Sequence, residues 1–229
     1  MFNVQTGARL HKLIANSDGA AGDNFGCSVA ISGNYAIVGA KMDDSQTGSA
    51  YIFNVQTGAQ LHKLTASDGY DSDRFGVSVA IDGNYAIVGA LYNDDKGTNS
   101  GSAYIFNVQT GAERYKLLPS DGAAGDNFGC SVAISGNYAI VGAQYANDKG
   151  SGSGNAYIFN VLTGAQLHKL ILSDKEAYDY FGSSVAISGN YAMVGAWSDD
   201  GNNGQNSGRV HLYNVQTGAH IKEITASDV

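Results

Sequence analysis

The chain has 229 residues, 43% hydrophobic and only 15% charged, with 31 Gly, one Pro, 14 Tyr and a net charge of −8. That length fits one large all-β domain or two small ones, and it buries roughly 70–75% of its unfolded surface without disulfide staples. The acidic balance excludes nucleic-acid binding, which needs a basic footprint, and no run of about 20 apolar residues offers insertion into a membrane.

Met1 opens directly into Phe2-Asn3-Val4-Gln5-Thr6-Gly7, which returns as Phe53-Asn54-Val55-Gln56-Thr57-Gly58. No leader precedes it, so the expectation is a cytosolic chain, a mature one, or a segment of a longer array. Residues 8–13 read as an outer strand. From Gly26 to Ser32, Cys27, Val29 and Ile31 alternate with Ser28 and Ala30, the period of a half-buried strand. Ser32-Gly33-Asn34 makes a tight turn. Residues 35–40 are apolar on both faces, as in a strand covered on two sides. A polar loop, a third strand at 49–53, an Asn-Val-Gln-Thr-Gly turn and a more polar fourth strand at 59–64 complete the unit. Block 25–40 recurs at 75–90, 128–143 and 181–196, and 17–40 reappears unchanged at 120–143. No window holds a helical period.

Four strands in about 50 residues is the pattern of a propeller blade. The predicted fold is an all-β β-propeller of four four-stranded antiparallel blades, one domain over 1–229. The blades fall near 17–66, 67–118, 119–172 and 173–227. Residues 1–15 supply a spare outer strand, and 219–225 supply another for the same slot. The first closes a blade or pairs with another chain, so a homodimer through outer strands that closes a larger ring is an open alternative. Cys27 and Cys130 share one repeat position, filled elsewhere by Val77 and Ser183, which marks small packing positions rather than a metal, catalytic or disulfide site.

The run Phe-Gly-x-Ser-Val-Ala-Ile-Ser-Gly-Asn-Tyr-Ala-Ile-Val-Gly-Ala, followed by Gly-Ser-Ala-Tyr-Ile-Phe, resembles the FG-GAP repeat of integrin α-subunit propellers and of many bacterial extracellular proteins. The resemblance covers essentially the whole chain and implies an extracellular or cell-surface binding or adhesion module. Two departures stand out. The family's Gly-Ala-Pro loses its Pro to Lys41, Leu91, Gln144 and Trp197. The Asp-x-Asp-x-Asp-Gly calcium motif is absent from the first hairpins, where Ser32-Gly33-Asn34 and its counterparts carry at most one carboxylate, too few oxygens for Ca²⁺. The chain is therefore closer to the calcium-free bacterial repeats, and no cofactor is expected.

In an up-and-down blade the loop after the second strand and the link to the next blade share one face. Nearly all of the 21 acidic residues map to those segments, and most of the 13 basic residues map elsewhere, Lys63, Lys116, Lys169 and Arg209 among them. Such a face focuses a negative potential. It also carries Tyr70, Tyr92, Tyr145, Tyr178, Tyr180 and Trp197 in loops. The candidate ligand-binding residues are Asp23, Asp73, Asp126, Asp179, Tyr92, Tyr145 and Trp197, facing a glycan or a protein partner. Strict recurrence of the four Asp also fits plain turn chemistry, and a divalent cation such as Ca²⁺ is a weaker reading of the same loops. Tyr35, Tyr85, Tyr138 and Tyr191, and Tyr51, Tyr104 and Tyr157, read as core or inter-blade packing. His11, His62 and His168 hold equivalent outer positions, with Tyr115 and Ile221 in the other two. They lie a blade apart and cannot converge on one metal. With no nucleophile–base–acid set or phosphate loop, the function expected is binding rather than catalysis. A structural propeller that self-assembles through unpaired outer strands is the alternative.

Overall fold

The computed structural model, described over residues 1–16, 18–172, 176–200 and 205–226, contains sixteen strands and no helix among those residues, and so none long and apolar enough to cross a membrane. The first sheet holds β1 (Phe25–Ser32), β2 (Tyr35–Ala40), β3 (Ser49–Asn54) and β4 (Gln60–Leu64). The second holds β5 (Phe75–Asp82), β6 (Tyr85–Ala90), β7 (Ser102–Asn107) and β8 (Glu113–Leu117). The third holds β9 (Ser131–Ser135), β10 (Tyr138–Ala143), β11 (Asn155–Asn160) and β12 (Gln166–Leu170). The fourth holds β13 (Ser184–Ser188), β14 (Tyr191–Ala196), β15 (Arg209–Asn214) and β16 (His220–Thr225). Each is an antiparallel meander in chain order, a propeller blade. The middle strands of the first three blades are buried on both faces, as their unbroken apolar runs require.

The Phe-Gly pair sets the joint between blades. Gly76 takes φ 89°, which Gly adopts without strain, and the register slips between Phe75 and Ser78. This bulge turns the Phe75 ring, fully buried, edge-on to Tyr104 and Phe106 at 5.5 and 5.8 Å. The Phe75 backbone bridges Gly48 of the preceding blade, and its N–H donates to the Thr47 carbonyl at 2.9 Å. Across the same joint the Ser28 hydroxyl donates to the Gly76 carbonyl at 2.7 Å. A Cβ on Gly39 would collide with that carbonyl, so only Gly lets the blades approach. Phe128 and Phe181 repeat the arrangement with Gly101 and Gly154, and Gly89 and Gly142 repeat the close approach.

These joints link blade one to two, two to three and three to four. The inner strands β1, β5, β9 and β13 pack in that sequence, and no comparable packing returns from β13 to β1. The four blades form an open arc. Val29 and Ile31 on the first blade's outer joint face are 68% and 63% exposed, against 8% and 6% for Val79 and Ile81 at the next joint. At the other end Met193 and Tyr191 are exposed, whereas Ile37, Ile87 and Ile140, at the Met193 position, are buried. Tyr191 thus departs from the packing role of Tyr35, Tyr85 and Tyr138, which lie against the following blade's core; no described blade follows it.

The N-terminal segment takes the outer place of a preceding blade, but as a short hairpin rather than a strand over 8–13. Only the bridge Phe2–Arg9 forms, with Asn3 N–H bonded to Ala8 and Leu10 N–H to Met1. Among the described residues the hairpin pairs with no inner strand. His11 meets the Gln56 carbonyl at 2.9 Å, as His62 meets that of Gln109 and His168 that of Gln216. The histidines therefore serve as joint fasteners. The fifth outer position belongs to Lys222, opposite Leu212, and not to Ile221. Cys27 and Cys130 are free thiols.

Candidate functional site

The loop face is built from two layers. The lower layer is a charge network, built in the first three blades on the buried Tyr of the third strand. Tyr51 donates its hydroxyl to Asp43 at 2.7 Å and to Asp18 at 3.2 Å. The carboxylates of Asp18, Asp43 and Asp44 cluster together, and the Lys63 ammonium bonds all three. Lys116 bridges Asp68 and Asp95 above Tyr104, and Lys169 bridges Asp121 and Asp148 above Tyr157. Burial works to raise the Asp43 and Asp68 pKa values, but hydrogen bonds from the lysines and tyrosines outweigh it, and both carboxyls are held below their ordinary value. Burial disfavours the Lys63 and Lys116 ammonium forms, yet their carboxylate partners carry both above their ordinary range. In the fourth blade Glu223 stands at the Lys63 position, and Arg209 and His211 replace Ser49 and Tyr51. Arg209 therefore takes over the bridging, pairing with Asp199 and Glu223 at 3.1 Å each.

This corrects the charge reading. Lys63, Lys116, Lys169 and Arg209 belong to strands whose residue numbers point away from the rim, but their long side chains reach up into it. The face is less negative than loop assignment alone implies. Around Asp18, Asp43 and Asp44 an ammonium supplies the counter-charge that a bound cation would otherwise bring. Asp174, Lys175 and Asp228, assigned to the same face, lie outside the described residues.

The recurring Asp of the linkers hold their own loops. Asp73, Asp126 and Asp179 are buried, and Asp23 is half-buried. Each accepts a backbone N–H three residues back, from Ala20, Tyr70, Ala123 and Glu176 at 2.5–2.9 Å. Burial raises the Asp126 pKa, with the Ala123 N–H opposing it. These four carboxylates are engaged in turn chemistry.

The aromatic residues form the upper layer. Tyr145 and Trp197 come together only through Tyr180, whose ring stacks on Trp197 at 4.9 Å and 6° and meets Tyr145 edge-on at 5.5 Å. Tyr178 adds a tilted contact at 6.3 Å. Tyr145, Tyr178 and Trp197 are exposed, so the outer surface of this row faces solvent at the joint of blades three and four. Tyr178 and Tyr180 have φ of 72° and 53°. Asn24, Arg74 and Asn127 hold the position of Tyr180 in the other three copies with φ of 57°, 57° and 54°, so the repeat itself sets this backbone, which Asn adopts more cheaply than Arg or Tyr. Beside the row is a polar cleft of about 200 Å³ lined by Tyr178, Asp179, Ser198, Asp200, Gln205 and Asn206.

Tyr92 stands apart. Arg74 lies over its ring at 4.6 Å, beside a separate cleft of about 370 Å³ carrying Tyr70, Asp71 and Asp94. Seven residues predicted as one site thus divide into four loop braces, one capped Tyr, and the pair Tyr145–Trp197. Tyr180, the residue that links the pair, was legible in the sequence only as one more loop aromatic.

The FG-GAP repeat model matches residues 9–53, 59–106, 112–159 and 165–213. No curated protein matches the sequence. Among solved structures, the computationally designed Ika4 protein is similar with a TM-score of 0.55 and 18% identity, covering 87% of this chain and 96% of that one. At that identity the likeness is one of fold.

Proposed function

The chain belongs to the FG-GAP repeat family, and from that premise we propose that it is a non-enzymatic extracellular or cell-surface module that binds a glycan at the joint of its third and fourth blades. The stacked, solvent-facing row of Tyr180 and Trp197, edged by Tyr145 and Tyr178, is the observation that carries this reading. Flat aromatic surfaces take the apolar faces of sugar rings. The adjoining cleft supplies the hydroxyl partners, since Asp200 is an exposed acceptor and Gln205 and Asn206 offer amide donors. At about 200 Å³ the cleft is smaller than the ~300–1,000 Å³ of drug-sized sites and matches a single sugar ring. A protein partner is the competing ligand class on the same surface.

A glycan array followed by calorimetry tests the reading. Trp197→Ala and Tyr145→Ala are expected to weaken any sugar that binds by at least about tenfold, while Tyr92→Ala leaves it unchanged. Absence of binding across the array, or equal loss from all three variants, would sink it.

A further inference from the structure

The two open ends of the arc carry opposite halves of one joint. Each internal joint has a donor half, the Phe-Gly bulge with the apolar residues of the first strand, and a receiver half, made by a Ser hydroxyl and two glycines that leave room for it. The first blade's uncovered face is a donor half: Phe25, Gly26, Val29 and Ile31, on an apolar groove of about 560 Å³. The fourth blade's uncovered face is a receiver half. Ser184, Gly195 and Gly208 line a hollow of about 510 Å³. Around Gly39, Gly89 and Gly142 the space for a Cβ is filled by the next blade's carbonyl, whereas at Gly195 only the blade's own Ser184 lies within it. Gly48, Gly101 and Gly154 are likewise filled by a following Phe, and Gly208 meets only Trp197 of its own blade.

We propose that these faces dock a second copy of the chain head to tail, the fourth blade of each copy receiving the Phe25-Gly26 bulge of the other. Two such joints, related by a two-fold axis, close a ring of eight blades, the upper end of the usual four to eight. The occupant follows from the three joints already present. A surface that fits Phe75, Phe128 and Phe181 fits Phe25, since the same bulge repeats with φ of 93° at Gly26 and 89° at Gly76, Gly129 and Gly182. The contact is between blade faces, not between the edges of outer strands. It also settles which outer strand fills the slot beside the first blade. Incoming β16 replaces the N-terminal hairpin, whose Phe2 and Val4 are exposed while Phe106, Val108, Phe159 and Val161 are buried. This inference is independent of the glycan reading.

Sedimentation or light scattering of the full chain reads the outcome against a single-chain mass of 23.8 kDa. Twice that mass is expected at micromolar concentration. Ile31→Lys places an unpaired charge in the joint, and Gly195→Ala fills the receiver. Ile31 is exposed and a methyl on Gly195 meets only the Ser184 hydroxyl, which can rotate, so circular dichroism is expected to stay native while association weakens by at least about a hundredfold. Mixing the two variants restores one intact joint, so the mixture regains the double mass although neither variant does alone. A single-chain mass for the unaltered protein overturns the proposal. So does a double mass retained by either variant, or a mixture that stays at the single-chain mass.

Discussion

Gly142→Ala and Gly195→Ala make the same chemical change at equivalent positions of two blades, yet the structure assigns them different costs. A methyl on Gly142 meets the carbonyl of Gly182 in the fourth blade, well inside van der Waals contact. That carbonyl also accepts the Ser131 hydroxyl at 2.8 Å. Moving it away loses a hydrogen bond of about 1 kcal/mol, and overpacking adds about 1–3 kcal/mol. The lower entropy of an unfolded Ala returns about 0.5–1 kcal/mol. The net is a loss of about 1–3.5 kcal/mol, concentrated at the joint of blades three and four. Gly195→Ala meets only the Ser184 side chain, which rotates, so its net is within about 1 kcal/mol of zero. Repeat arrays unfold in parts, so a probe of this joint is needed, and the single Trp provides it. Trp197 stacks on Tyr180 at this joint. Urea unfolding followed by Trp197 fluorescence, at a concentration low enough to keep chains separate, is expected to show an earlier transition for Gly142→Ala alone. Equal shifts for both variants, or none for Gly142→Ala, would refute the account of the joint and of the open end.

Lys63→Met leaves Asp18, Asp43 and Asp44 without their shared ammonium, with the Asp43 side chain only 3% exposed. It is expected to cost about 2–4 kcal/mol at neutral pH, a penalty that denaturant melts should find shrinking as pH falls through the lowered Asp43 value. The pH dependence of the unaltered protein follows from the same groups. Asp43 and Asp68 have folded pKa values below their unfolded ones, so their contribution is present above the ordinary Asp value of 3.8 and is lost as pH falls through the lowered values. Thermal melts between pH 7 and 2 are expected to fall through that range. Asp126 has the opposite sign, its folded pKa lying above 3.8, so its ionised form opposes folding at neutral pH. Asp126→Asn, which keeps an acceptor for the Ala123 N–H, is therefore expected to be neutral or stabilising, whereas Asp43→Asn is destabilising; melts showing the reverse order would contradict both assignments.

Fold and blade number were legible because they rest on local chemistry repeated four times. Period-two alternation, the doubly apolar Tyr-Ala-Ile-Val-Gly-Ala strand and the Asn-Val-Gln-Thr-Gly turn each act within a few residues, so their order on the chain is their order in the sheet. The structural role of the recurring linker Asp was readable for the same reason, as its partner lies three residues away. Side-chain reach across the blade was not. Nothing in the position of Lys63 announces that its ammonium ends among loop carboxylates 19 and 45 residues away. The aromatic row was equally hidden, because Tyr145, Tyr180 and Trp197 come from three separate loops that only the packing of two blades brings to 5 Å. The sequence alone determines what a blade is, since every blade is specified within its own repeat. Whether the ring closes depends on how far each joint rotates one blade against the next, a sum of small angles that no single repeat contains. Tertiary structure decided that point, and it leaves Phe25 half-buried and Gly26 exposed while Phe75, Phe128 and Phe181 lie buried in the joints that their own repeats predict.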